Sequence, residues 1–357
     1  MGQTAIYKLI PRGAFHFGER GVGVEETADL LHSDTLFSAF VSAWRALGEQ
    51  PDPSIDNSLP LLAPFVARRP PFRISSALPY VGEVLLFPRP LVRLGKAKAL
   101  KKVAFLSEGA LRLLGRGETP DLERELIQGG RVWVTPEERD DIKALLLGND
   151  TDSKERRRLA ARFEQDARAI RLWGGSGDAP VPHVAVDRMS SKPNLFFAGR
   201  LRFAPGCGLY FWVDFADSGY RDHLDAALTF LQDEGVGGRR STGHGQFSFR
   251  VEKRTLPTLD GSRHFLTLSL YHPHPDEVES GVLRDAWYRR VHRRGWIYSL
   301  DGKNLRRKGL WMLSEGTVLD QEVIGTIEDL RPEIGFAHPV WRYGYALTLP
   351  VRLEGLL

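Results

Sequence analysis

His16, His32 and His244 carry imidazoles, the side chain that can serve as either acid or base, and Arg239 places a fixed cation in the same stretch as the last of them. A base, an acid and a cation are what cleavage of a phosphodiester by its own 2′-hydroxyl requires, so these residue types permit metal-independent ribonuclease chemistry. They also have plainer uses. His32 precedes Ser33 at the start of a helical pattern, where satisfying local hydrogen bonds is the commoner role of a histidine.

Metal chemistry has little to stand on. "HPHP" at His272 to Pro275 offers two imidazoles stiffened by prolines, with only Asp276 as an acidic neighbour, and reads as a loop turn. Glu25, Glu26 and Asp29 could hold magnesium weakly but read more simply as a solvated loop. Cys207 is the sole cysteine, which excludes an internal disulfide and a thiolate cluster. We expect no metal and no cofactor.

The densest concentration of contact chemistry is "DEGVGGRRSTGHGQF", residues 233–247. It is not a Walker loop, because Gly243 is followed by His244 where a lysine must reach the phosphates. It is not a dinucleotide loop either, since Arg240 occupies the third glycine position and the stretch follows a helix. What remains is a bare backbone able to adopt positive φ, with guanidinium and hydroxyl groups beside it. Phosphates of a polynucleotide accept all of these donors without asking for a particular base. Gly235, Gly237, Gly238, Arg239, Arg240, Ser241, Thr242, Gly243, His244 and Gly245 are therefore candidate RNA contacts.

The elements that must position this loop are readable. "QTAIYKLIP" alternates as a strand, and "HSDTLFSAFVSAWRALGEQ" spaces Leu36, Phe37, Phe40, Val41, Trp44 and Leu47 as a helix capped by Ser33 or Asp34. "TPEERDDIKALLLG" opens with Thr135, Pro136 and Glu138, a capping box. "FRISSAL" and "GEVLLFP" read as strands, "LFFAGRLRF" and "LYFWVDF" as a hairpin, "YRDHLDAALTFLQDEG" as a helix and "QFSFRVE" as the strand after the loop. Strand–helix–strand order in each half predicts an α+β fold of two tandem ferredoxin-like (RRM-like) domains, 1–175 and 176–357, the second bearing the glycine-rich loop. The segment from Arg89 to Lys102 reads as a basic arm projecting from the first domain.

The 357 residues are 42% apolar and 26% charged, which fits an ordinary globular chain rather than a disordered one. No apolar run reaches membrane-spanning length and the N-terminus lacks a secretory pattern, so a cytoplasmic protein without a membrane partner is expected. A net charge of +4 does not announce nucleic acid, but its distribution is uneven. Residues 284–308 hold nine Lys or Arg against two Asp, with Trp287, Tyr288, Trp296 and Tyr298 among them. That mixture suits an RNA groove or a protein-docking face. The run 154–171 reads as a solvated helix face. No helix-turn-helix spacing is present to support a DNA-binding regulator.

"AFHFGERGVGVEET", "HSDTLFSAF", "PHVAVDR", "LYFWVDF", "GVGGRRSTG" and "HPVWRYGYAL" follow one another in an order that resembles the RAMP proteins of CRISPR systems. More specifically they resemble the RAMP subunit that caps the guide's 5′ end in type III-A Csm complexes. The resemblance implies a non-catalytic scaffold of antiviral defence. Such a scaffold grips the 5′ handle of the crRNA, docks on the large signature subunit, abuts a backbone RAMP subunit and meets target RNA indirectly. It further implies that His16, Gly18, His32, Ser33 and Asp34 line the handle groove, that Arg188 and Lys192 lie on its approach, and that the basic arm with Lys101 and Lys102 acts as a thumb. The alternative is a metal-independent CRISPR repeat-processing endoribonuclease. Those nucleases carry the glycine loop near the C-terminus, whereas more than a hundred residues follow it here.

Overall fold

A computed structural model describes residues 3–18, 27–148, 154–174, 181–186, 193–257, 261–297, 305–332, 336 and 338–353, with only the backbone at 155, 156, 181–186 and 193–198. The expected contacts Arg188 and Lys192 lie outside the described residues.

The chain opens with strand β1 (Gln3–Pro11), helix α1 (Ser33–Ala46), the short α2 (Ala63–Val66) and strands β2 (Phe72–Ile74), β3 (Leu78–Val81), β4 (Val84–Pro88) and β5 (Phe105–Ser107). Then come α3 (Glu108–Gly115), β6 (Leu126–Ile127), β7 (Val132–Trp133), α4 (Pro136–Leu147), α5 (Lys154–Gln165), β8 (Trp173–Gly174), β9 (Val181–Val186), β10 (Pro193–Ala198) and β11 (Arg202–Phe203). Strand β12 (Cys207–Phe215), helix α6 (Tyr220–Glu234) and β13 (Phe247–Lys253) precede the last region. That region holds β14 (His264–Thr267), α7 (Pro275–Glu279), β15 (Arg290–Arg293), β16 (Leu310–Leu313), β17 (Val318–Leu319), β18 (Ile327–Asp329), β19 (Trp341–Tyr343) and β20 (Thr348–Val351).

One large mixed sheet dominates, in the order β13-β1-β12-β3-β4-β5-β7-β6, with β2 also on β12. Its left half is instructive. β1 lies between β13 and β12, pairing Tyr7 with both Val251 and Phe211, and β12 continues to β3. With α1 after β1 and α6 after β12, the strand order 4-1-3-2 is that of a βαββαβ unit. Its first half lies in residues 3–81 and its second in 207–253, so the expected boundary at 175/176 cuts between β1 and both of its hydrogen-bonded neighbours. A second unit of this topology is not seen among the described residues: β14 pairs with β17 and β20, and β15–β16 and β18–β19 form separate ribbons. The "LFFAGRLRF"–"LYFWVDF" hairpin is likewise replaced, with β10 on β9, β11 on β8 and β12 inside the main sheet.

Local signals explain the elements that position the loop. Helix α1 buries Leu36, Phe37, Phe40, Ala43 and Trp44 at helical spacing. Phe37 stacks on Tyr343 with centroids 4.6 Å apart, and Phe40 meets Phe211 of the sheet. Trp44 Nε1 donates to the His223 carbonyl at 2.9 Å, tying α1 to α6, which in turn buries Leu224, Ala227, Leu228 and Leu231. The Thr135–Glu138 capping box is present at the start of α4. Helix α5 does present exposed Arg157, Arg158 and Arg162 to solvent. The arm from Arg89 to Lys102 does not project. Val92, Leu94 and Leu100 are buried, and the Arg89 guanidinium donates to the carbonyls of Val92, Leu100 and Val103. Lys101 and Lys102 remain exposed on its short 3-10 turn. No helix of the described residues is long and apolar enough to cross a membrane.

Candidate nucleic-acid interface

The glycine loop leaves α6 at Gly235 with φ +80° and makes further positive-φ turns at Gly237 (+86°), Arg239 (+60°), Gly243 (+78°) and Gly245 (+88°). Three of these glycines are required by close packing. A Cβ on Gly235 would sit 2.8 Å from the His244 carbonyl oxygen, one on Gly237 2.6 Å from that of His16, and one on Gly245 would collide with the Val236 carbonyl. The loop is thus folded back on itself and on the segment 14–17.

This packing revises the reading of the loop as a row of unhindered donors. The N–H groups of Gly235, Val236, Gly238, Thr242, Gly243, His244 and Gly245 all donate to protein carbonyls. Gly238 reaches His16 O at 2.8 Å and Gly245 reaches Ala14 O at 2.9 Å. The glycines shape the loop, and its outward chemistry belongs mainly to side chains on the 3-10 turn Arg240–Thr242. Ser241, Thr242 and Gly243 are exposed at its tip, while Thr242 Oγ1 donates to Arg239 O at 2.9 Å and holds the turn.

His16 to Gly18 and His32 come close to the loop, though in different ways. Buried His16 braces it through its backbone, its Nδ1 lying 2.8 Å from Gly199 O. With that carbonyl as acceptor, Nδ1 carries the proton. Exposed Gly18 and half-buried His32 line the same cleft as Gly235, Gly237, Gly238 and Arg240, a cavity of about 690 Å³. His32 provides no side-chain cap for α1; its Nδ1 instead faces Glu315 Oε1 at 2.7 Å, and Ser76 donates to the same oxygen. Burial would raise the Glu315 carboxyl, but His32 and Ser76 prevail and hold it below the ordinary carboxylate range.

Ser33 and Asp34 are not groove residues, because both are fully buried. Ser33 Oγ accepts from the Leu270 N–H at 3.1 Å. Asp34 receives two bonds from Arg293, at 2.8 and 2.9 Å, and lies 2.7 Å from Arg342 Nη1. Burial works against its charge, yet the two guanidiniums win and hold the carboxyl far below its usual range. The N-terminus of α1 is therefore bolted to β15 and β19. Of the metal readings, His274 takes the loop role, its Nδ1 accepting from Asp276 N–H at the start of α7.

The opposite wall of the cleft comes from the basic, ring-bearing segment that the sequence left open between two uses. Strand alternation on β15 sends Arg293 inward and leaves Arg290, His292 and Arg294 outward. His292 stacks on Trp311 at 4.5 Å, with Arg290 over the same ring at 5.5 Å, and Gly309 leaves room for that imidazole. Arg306 covers Trp296 at 4.8 Å. Trp296 and Trp311 are 54% and 55% exposed, unusual for indoles without a partner surface. A second cavity of about 1090 Å³ is lined by the residues of this wall and shares His32, Arg293, Trp296 and Arg307 with the first. Glycine loop, guanidiniums and indoles thus border one continuous trough, the combination that phosphate contact and base stacking require. Arg293, Arg307 and Arg342 are the residues that sequence reasoning missed. The only local sign of Arg342 is a lone charge between Trp341 and Tyr343 in a strand.

Comparison with known proteins follows the same line. The family description CRISPR Csm4 C-terminal domain matches residues 260–351. The CRISPR system Cms protein Csm4 of Thermococcus onnurineus (strain NA1) is 27% identical over 357 residues, covering 100% of both chains. Among solved structures, a chain of the Csm3-Csm4 subcomplex in the type III-A CRISPR-Cas interference complex superposes with a TM-score of 0.65 at 19% identity, over 98% of this chain and 99% of that one. A chain of the Csm1-Csm4 cassette in complex with pppApA gives a TM-score of 0.53 at 20% identity, over 99% of each.

Proposed function

We propose that the chain is a Csm4-type RAMP subunit of a type III CRISPR complex and that it holds the repeat-derived 5′ handle of crRNA in the trough between the glycine loop and β15–β16. The observation that carries this reading is a single cavity lined by Gly237, Gly238 and Arg240 on one side and by Arg293, Trp296 and Arg307 on the other. Phosphates meet cations and donors there while bases have exposed rings to lie on. The protein serves as a scaffold in antiviral defence in the cytoplasm, docking on the large subunit and on a backbone subunit. Its relatives' structures with Csm1 and Csm3 support those two partners.

The subunit does not cut the RNA it holds. Each candidate histidine has a local partner that accounts for it: His16 with Gly199, His32 with Glu315, and His244 with Thr242. The test is a gel shift of the purified protein with repeat-containing guide RNA in EDTA, with the same samples run on a denaturing gel. Retarded, intact RNA is the expected result. RNA cut at one position within the repeat refutes the scaffold reading.

A further inference from the structure

We propose that Arg293 and Arg307, backed by the buried Arg342, form a seat for one phosphate group of the bound RNA, where the two cavities of the trough meet. The proposal rests on the RNA-binding reading above and goes beyond it by naming one charged subsite.

The charges at this point do not balance. Three guanidiniums converge, and Asp34 serves two of them, Arg293 through its bidentate bonds and Arg342 through Nη1. The other buried carboxylate, Glu315, is occupied by His32 and Ser76. Among the described residues Arg307 has no carboxylate of its own, although it feels both Asp34 and Arg293. Its buried Nε has no hydrogen-bond partner among the described residues, nor have Nε and Nη2 of Arg342. Burial depresses Arg307 and pushes Arg342 down to about 9, the direction expected where cations lack sufficient counter-charge. An uncompensated buried guanidinium is costly unless a ligand supplies the anion.

Access and shape fit a phosphate. Arg293 and Arg307 line both cavities, whereas Arg342 lies fully buried behind them. A guanidinium fork matches two phosphate oxygens, and Trp296 beside it offers a ring for the attached base. Gly295 keeps the seat open. A Cβ there would come 2.9 Å from Arg307 Nη2, at a φ of +149°.

The test is a linkage scan on the wild-type protein, so no variant has to fold for it to read out. Handle RNAs are made with one neutral methylphosphonate at each linkage in turn, and a further pair differs in a 5′-phosphate or a 5′-hydroxyl. A charge-assisted contact predicts that one position alone loses roughly 10- to 100-fold in affinity. A peak at an internal linkage assigns a phosphodiester to the seat, and preference for the 5′-phosphate assigns the terminal group. Arg307→Gln is then expected to bind unmodified RNA as weakly as wild type binds the peak oligonucleotide, and to abolish the peak. A flat profile on tightly held RNA, or a peak that survives Arg307→Gln, overturns the seat alone. Failure to retain unmodified RNA overturns the seat and the interface together.

Discussion

Gly237→Ala is the sharpest single perturbation of the glycine loop. At φ +86° an L-residue is strained by roughly 1–2 kcal/mol. The new Cβ also lands 2.6 Å from the His16 carbonyl oxygen and 2.9 Å from the Phe17 ring. That carbonyl cannot simply retreat. It accepts the Gly238 N–H at 2.8 Å, and neighbouring Phe15 is held to Leu201 by two bonds of 2.8 Å. Losing the Gly238 bond adds about 1 kcal/mol. The sum of about 2–3 kcal/mol corresponds to a reduction of roughly 30- to 150-fold in the population of the folded loop. Apparent RNA affinity falls with that population as far as the loop is depleted. The global core is untouched, so the melting temperature is expected to move little. Gly13→Ala is the control: Gly13 is outside the cavity lining, has no positive φ, and an added Cβ would meet only the Gly243 carbonyl oxygen at an ordinary 3.5 Å. The assay is fluorescence anisotropy with handle RNA on both variants, with hydrogen exchange at the Gly238 amide. Wild-type affinity in Gly237→Ala, or an equal loss in Gly13→Ala, refutes the claim that the packed loop conformation is what binds.

Four further outcomes are expected. Replacing Arg239 and Arg240 together by Ala should weaken handle binding and lower the slope of log affinity against log salt by about 1.4, two single-strand phosphate contacts' worth; an unchanged slope removes both from the contact set. Asp34→Asn strands two buried guanidiniums and should cost about 3–5 kcal/mol, read as a lower melting temperature, and a wild-type melt would show that the ion pairs do not hold α1 to β15 and β19. Asp34 and Glu315 both have folded pKa values below their unfolded ones, so the stability they give is complete above the unfolded carboxylate pKa near 4 and fades as pH falls below it; Asp34→Asn should flatten that acid limb, and an identical limb in wild type and variant would assign it elsewhere. Residues 1–175 expressed alone should fail to give a cooperative unfolding transition, because β1 then loses β12 and β13 together; a cooperative melt of that fragment would restore the domain boundary read from sequence.

What the sequence made legible was local. The α1 stripe of Leu36, Phe37, Phe40 and Trp44, the Thr135 capping box and the glycine loop each declare themselves within a few turns of chain. What it hid was remote pairing. Nothing in "QTAIYKLIP" says that its partners lie beyond residue 206, so strands that complete one βαββαβ unit read as the start of a second. Asp34 failed for the same reason: in the first turn of a helix it resembles a cap, and only the return of Arg293 and Arg342 from the far end of the chain makes it a buried anchor. Counting glycines likewise could not tell that most of the loop's N–H groups point at the protein. These remote contacts also explain how the trough keeps its width. One wall follows α6, which Trp44 of α1 grips through the His223 carbonyl; the other hangs on β15 and β19, which Asp34 of α1 grips through two arginines. Both walls take their position from one helix, so a change in the α1 core should loosen the glycine loop and the arginine wall together.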